Sequence, residues 1–362
     1  MEKQKDWQFG PFIKDSTPVF LPDKNSEFYC PVNKAIRHFE CSNVYNPAVI
    51  VKDNKLHMLY RADGELSDEL DMFGYRKTTC RIGYAVSDDG INFKRNPEPV
   101  IYPDGRYDEF EFWGGCSDMH IVEDENGKYY MNYDAWTGYF RTKGEEFVDG
   151  VWEDVLMSAT SDDLVHWKKH GPALKPEWKK YWNHSRSGTI ISRVCGDKLV
   201  AEKINGKYYM YMSHSGMLLS SDDLIYWDVE LDENGNPKIL FKNNGSTDEF
   251  DTRSHEAGAA AIITDKGIVY FYNAYGRLKN RDDLQCDAYC WSQGQALISL
   301  DDLTTVIDKL DEPHMTPEYD WEIHGHTECA AVVCNAIVNF KGKWTMYYGA
   351  ADRVIGRAVE EK

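Results

Sequence analysis

A Tyr-rich strand that returns five times constrains this chain more than any other feature. It appears as Leu56-His57-Met58-Leu59-Tyr60, Tyr129-Tyr130-Met131-Asn132-Tyr133, Tyr208-Tyr209-Met210-Tyr211-Met212, Val269-Tyr270-Phe271-Tyr272-Asn273 and Trp344-Thr345-Met346-Tyr347-Tyr348. Polar turns such as Asn126-Gly127-Lys128 and Asn205-Gly206-Lys207 precede most of these runs, so each reads as one arm of a hairpin. A second strand follows in four of the units and ends in a pair of aspartates: Ser87-Asp88-Asp89, Ser161-Asp162-Asp163, Ser221-Asp222-Asp223 and Asp301-Asp302. Asp after a strand accepts local backbone N–H groups, which makes these residues turn formers rather than catalysts.

Units of roughly 60 to 80 residues, each holding several short strands, are the pattern of a β-propeller. The expectation is an all-β chain folded as a single five-bladed β-propeller over residues 1–362. Segment 1–40 is expected to complete or cover a blade. Stretches 137–157 and 173–200 interrupt the rhythm and read as insertions that build a binding face.

Charge narrows the partners. Sixty acidic residues against 41 basic ones give a formal net charge of −19, which repels a phosphate backbone. No nucleic acid is expected. No stretch approaches the length of an apolar membrane span, and the N-terminus has no apolar leader core, so the reading is a cytoplasmic chain with no membrane partner. The nine cysteines include no Cys-x-x-Cys pair, which suits a reducing compartment and argues against a metal site. No cofactor is called for, and a homo-oligomer with the N-terminal segment at its interface is left open.

In a propeller the polar residues at the strand ends converge near the axis. Taken in order they are Asn46, Arg61 and Asp63, then Asp118, Asp134, His214, Glu256, Glu328 and Asp352. Carboxylates crowded into one pocket can raise one pKa enough to supply a general acid while another stays ionised as base, the equipment of glycoside hydrolysis. Asp118 stands in Phe112-Trp113-Gly114-Gly115-Cys116-Ser117-Asp118, where Trp113 offers a ring face to a sugar. Glu256 stands in Ser254-His255-Glu256-Ala257-Gly258-Ala259-Ala260, where small side chains leave space beside the acid. His214 can position a substrate or a water, although a purely structural hydrogen bond is the better explanation of it from sequence.

Tyr45-Asn46-Pro47-Ala48, Leu59-Tyr60-Arg61-Ala62-Asp63, Arg81-Ile82-Gly83-Tyr84-Ala85-Val86-Ser87-Asp88-Asp89-Gly90 and Tyr347-Tyr348-Gly349-Ala350-Ala351-Asp352-Arg353-Val354-Ile355-Gly356 together resemble glycoside hydrolase family 130. The resemblance implies a five-bladed propeller that acts with inversion on β-mannosides, either by phosphorolysis or by hydrolysis. It implies Asp118 as general acid, with Met119 and His120 in place of the family's Pro and Arg, and Asn46, Arg61, Asp63 and Asp352 around the mannosyl unit.

Where the family's phosphorylases carry cations for phosphate, this chain has the region of His214, then Ser254 and Asn273. The expectation is therefore an inverting hydrolase of a β-mannoside, with a β-1,2 linkage left open and Glu256 as base. Its rivals are a phosphorylase that binds phosphate through Arg186, Arg193 or Arg253, and a carbohydrate-binding propeller without catalysis.

Overall fold

The computed structural model describes residues 4–361 except 69–77, 112–113, 137–153, 184, 243–248, 280, 282, 285–288 and 327–328. Each Tyr-rich run is the second strand of an antiparallel meander. The first sheet is Asn43–Lys52, Lys55–Asp63, Cys80–Ser87 and Lys94–Arg95. The second is Gly115–Glu123, Tyr129–Trp136, Asp154–Ser161 and Lys168–Pro172. The third is Gly188–Cys195, Tyr208–Met212, Met217–Ser221 and Asp228–Val229, with Lys198–Ala201 added at the far end of its first strand. The fourth is Ser254–Ile263, Ile268–Arg277, Tyr289–Ile298 and Val306–Lys309. The last three strands, Val332–Phe340, Lys343–Ala350 and Val354–Glu360, pair with Phe12–Lys14 from the other end of the chain.

The Tyr-rich strands are apolar on both faces because each sheet feeds two cores. Side chains alternate across a strand: Leu59 packs with the second sheet, whereas Met58 and Tyr60 pack with the fifth. Phe271 likewise faces the fifth sheet while Tyr270 and Tyr272 face the third. A further core joins the second and third sheets through Leu156, Met210 and Leu219. The five cores therefore follow one another in a cycle, and the first strand of the fifth sheet lies against that of the first.

A polar device recurs inside these apolar layers. Tyr60, Tyr133, Tyr272 and Tyr348 donate their hydroxyls to Glu40, Glu111, Asp251 and Glu322 at 2.7, 2.8, 2.8 and 2.7 Å. Each carboxylate lies just ahead of its sheet's first strand and meets a cation from the fourth strand: Arg95 at 3.1 Å, Lys169 at 2.6 Å, Lys309 at 2.8 Å and Lys14 at 2.9 Å. A buried carboxylate is tolerable only when paired and hydrogen-bonded, and the triad does both. The third sheet departs from the pattern, for Tyr211 donates to the Leu303 carbonyl instead. Lys14 occupies the fourth-strand place in the fifth triad, which ties the N-terminal strand into that sheet by charge as well as by pairing.

The turn reading of the aspartates holds. Asp89 Oδ1 accepts the backbone N–H groups of Ile91 and Asn92, and Asp163 and Asp223 do the same for the two residues at matching positions. The reading of 173–200 as an insertion does not hold. That stretch contains Gly188–Cys195, the first strand of the third sheet, whose Gly-Thr-Ile-Ile-Ser sequence lacks the aromatic signature of its neighbours. The reading of 137–157 falls mostly outside the described residues, and its last four residues open a strand.

Candidate active site

In an antiparallel meander the start of the first strand, the end of the second and the start of the third lie at one end of the sheet. Asn46, Asp118 and Glu256 belong to strand starts, Arg61, Asp63 and Asp134 to second-strand ends, and Asp352 to the turn after the fifth sheet's second strand. The structure brings all of them to one end of the molecule, where their interactions interlock.

Local backbone geometry aims two of these residues. Asn46 and Asp118 both sit at breaks in register of their first strands and both have positive φ, 46° and 45°. Asn and Asp enter the left-handed region more readily than other non-glycine residues, so the sequence suits the strain. Gly349 makes room for this arrangement, since a Cβ there would lie 2.2 Å from Asn46 Oδ1. Gly115, at φ +89°, lets the second sheet cross close to the first, where a Cβ would meet the Cys80 carbonyl oxygen at 2.0 Å.

Asp118 is 1% exposed. Asn46 Nδ2 donates to its Oδ1 at 2.7 Å and Arg61 Nη1 to its Oδ2 at 3.0 Å. Burial pushes this carboxyl up, but Arg61, Arg186 and the Asn46 hydrogen bond together outweigh it and hold Asp118 below the ordinary range. Arg61 is fixed in turn by Asp63 at 3.3 Å and by the Tyr45 ring 4.5 Å away. Asp63 also accepts from Asn43, Tyr45 and Cys80.

Two other carboxyls of the cluster are shifted the opposite way. Burial raises Asp134 well above the usual carboxylate range against the pull of Arg186, with Asp118 and Asp154 adding to the rise. Its Oδ1 accepts the Ser187 N–H at 3.0 Å, and its buried Oδ2 has no hydrogen-bond partner among the described residues. Burial lifts Asp352 to about 6, with Arg61 opposing and Asp118 and Asp63 reinforcing. The general-acid role read for Asp118 therefore needs a proton that this carboxyl holds less readily than Asp134 or Asp352.

The residue that organises the site is Arg186. Its guanidinium lies 3.5 Å from Asp118, 3.7 Å from Asp134, 3.8 Å from Asp154 and 3.7 Å from Glu256. Its buried Nε has no hydrogen-bond partner among the described residues, and its contacts there are the ion pairs just given. Asp118 and Glu256 both approach this one guanidinium, which brings the two carboxylates read as acid and base to a shared cation. Ser187, at φ 49°, donates its hydroxyl to Glu256 at 2.6 Å.

His214 stands at the rim, half exposed, with Nδ1 2.7 Å from Ser254 Oγ and 3.9 Å from Glu256 Oε2. His120 is buried and held neutral, pushed down to about 4 by burial against the pull of Glu256 and Asp118. It supplies no cation at the position where the resemblance expects Arg. Of the three arginines named for phosphate, Arg186 lies in the site, while Arg193 pairs with Glu202 and Arg253 is exposed over the Tyr289 ring. Trp113 and Glu328 lie outside the described residues.

Ser187 and Asp154 are not singled out by the sequence, and Arg186 enters there only as a phosphate ligand of the rival phosphorylase reading. Arg186-Ser187 leads directly into a first strand just as Ser254-His255-Glu256 begins one, but that strand was read as part of an insertion.

Comparison with known proteins adds three findings. The family model of glycoside hydrolase family 130, described as beta-1,4-mannooligosaccharide phosphorylase, matches residues 23–361. A beta-1,2-mannobiose phosphorylase of Thermoanaerobacter sp. (strain X514) is 33% identical over 350 residues, 95% of each chain, and a 1,2-beta-oligomannan phosphorylase of the same strain is 30% identical over 330 residues, 91% of this chain and 93% of that one. A solved structure from work on the GH130 mannoside phosphorylases and the glycoside hydrolases among them that target beta-1,2 mannosidic linkages in Candida mannan superposes with a TM-score of 0.86 at 35% identity, covering 99% of this chain and 95% of that one.

Proposed function

The chain belongs to glycoside hydrolase family 130, and we propose that it cleaves a β-mannoside, β-1,2-linked, by transferring the mannosyl unit to inorganic phosphate with inversion. We read the cycle of five sheets and five cores as a five-bladed propeller with this site at one end of its axis. The observation that carries the acceptor assignment is Arg186, a guanidinium inside the carboxylate cluster whose Nε has no hydrogen-bond partner and which can turn to an incoming oxyanion. The similarity to two phosphorylases supports the same reading. It replaces the hydrolysis expected from the missing cations at Ser254 and Asn273.

On this reading Asn46, Arg61, Asp63 and Asp352 hold the mannosyl unit, while Arg186 and the half-exposed His214 receive phosphate. A phosphate oxygen forms a bond to C1 from the face opposite the leaving oxygen as the C1–O bond breaks. The leaving oxygen takes its proton from Asp118, directly or through a sugar hydroxyl. Phosphate prepares that proton: it draws Arg186 away from Asp118 and adds negative charge nearby, and both effects raise the affinity of Asp118 for a proton. Asp134 and Asp352, both shifted upward by burial, take up protons more readily than Asp118 does.

Hydrolysis is the second reading, and two observations favour it. Asp63, Asp118, Asp134, Asp154, Glu256 and Asp352 surround two guanidiniums, a balance that resists a further anion, and Asn273 is fully buried in hydrogen bonds to Asn335, Gln293 and Cys334. In that case Glu256 removes a proton from the attacking water. Incubating β-1,2-mannobiose with and without phosphate separates the two: phosphorolysis yields mannose 1-phosphate and mannose only with phosphate, and hydrolysis yields mannose in either buffer.

A further inference from the structure

A second cavity, of about 500 Å³, opens on the other face of the first sheet. Its lining includes Asn33, Arg37, Glu65, Leu66, Arg81 and Asp108. Arg81 pairs with Ala62 across the ladder, one position along from the Cys80–Asp63 pair, so its side chain leaves the face opposite the one that carries Arg61 and Asp63.

Arg81 is 4% exposed, with one hydrogen bond from Nη1 to the Thr79 carbonyl at 3.2 Å and the Phe28 ring 5.8 Å from its guanidinium. No carboxylate pairs with it among the described residues, and its buried Nε has no hydrogen-bond partner. A buried guanidinium has five N–H donors and an unscreened charge to satisfy, and one carbonyl does not suffice. Arg37 lines the same cavity half-buried, also without a paired carboxylate among the described residues.

We propose that this cavity binds a small sugar that carries an oxyanion, either a phosphate ester or a carboxylate. The two arginines take the anionic group, for which guanidinium offers a two-pronged match. Glu65, Asp108 and Asn33 offer hydrogen-bond partners for hydroxyls, and Leu66 lies beside them for the ring's C–H face. The volume fits a mono- or disaccharide, within the range of about 300–1,000 Å³ usual for small-molecule sites. Neither arginine belongs to the proposed catalytic machinery.

Calorimetric titration of the full chain with a hexose 6-phosphate, a hexuronate, the neutral hexose and inorganic phosphate tests the assignment. One or both anionic sugars bind saturably, the neutral hexose at least ~10-fold more weakly, and Arg81→Met or Arg37→Ala weakens the anionic ligand by ~10–100-fold, the range for a lost charge-assisted hydrogen bond. Arg81→Lys retains part of the binding, and Arg37→Ala, at a half-buried position, keeps the test valid if Arg81→Met does not fold. Mannoside cleavage in Arg37→Ala stays within a few-fold of wild type. The proposal is overturned if neither anionic sugar binds, if the neutral hexose binds equally well, or if binding survives unchanged in Arg37→Ala and Arg81→Lys.

Discussion

Replacing Arg61 by Met tests whether this side chain is what keeps Asp118 ionised. Arg61 donates to Asp118 at 3.0 Å and to Asp63 at 3.3 Å, and its own side chain is only 15% exposed. Removing one partner of a buried ion pair costs about 3–5 kcal/mol. Asp63 keeps Asn43, Tyr45 and Cys80 as donors and Asp118 keeps Asn46 and Arg186, so the loss belongs at the lower end, about 3 kcal/mol at neutral pH. The pH dependence follows from the sign of the shift. Asp118 is held below its ordinary 3.8, so it contributes stability above that value, and the contribution is lost as pH falls through the depressed one. In the variant that depression is relieved, so the stability gap from wild type is widest near neutral pH and narrows as pH falls below about 4. Urea denaturation followed by tryptophan fluorescence at several pH values measures the gap. A gap below about 1 kcal/mol at neutral pH, or one that does not change with pH, refutes the electrostatic reading of this pair.

Three further substitutions address the chemistry. Arg186→Met should raise the KM for phosphate by about 10–100-fold, with a smaller change in mannoside affinity, in initial-rate measurements that vary each substrate in turn. Glu256→Gln should keep phosphorolysis within about 10-fold of wild type, because phosphate needs no base, and a loss of ~10²–10⁴-fold would instead mark Glu256 as the base of a hydrolase. Asp352 is raised to about 6, so its contribution is fully present below about 3.8 and is lost as pH rises through 6. Asp352→Asn should therefore be more stable than wild type at pH 8, by no more than about 3 kcal/mol, with the advantage vanishing near pH 4 in thermal unfolding.

The strand pattern and turn chemistry were legible in the sequence because both are local: Asn126-Gly127-Lys128 and Ser87-Asp88-Asp89 carry their own instructions. The first strand of the third sheet was not, since Gly188-Thr189-Ile190-Ile191 is too short and too plain a run to stand out from a loop-rich stretch. The Tyr–carboxylate–cation triads were hidden for a different reason. Glu322 and Lys14 are 308 residues apart, and only the closing of the fifth sheet by the N-terminal strand makes them neighbours. At the site the carboxylates announced themselves by position, but their protonation did not. Asp118 looks like an acid in isolation, whereas two arginines and one asparagine favour its ionised form and burial shifts Asp134 and Asp352 upward instead. Arg186 draws its meaning from four carboxylates, three on strands of the second sheet and one on the first strand of the fourth, a set no linear window contains.

The most direct test of the proposed reaction follows the cleavage of β-1,2-mannobiose by proton and phosphorus NMR, with phosphate present and rigorously removed. The account predicts α-mannose 1-phosphate formed in equal amount to released mannose, at a rate that falls to background without phosphate. Two equivalents of free mannose per disaccharide, released equally fast in both buffers, would contradict it and leave hydrolysis by Asp118 and Glu256 in its place.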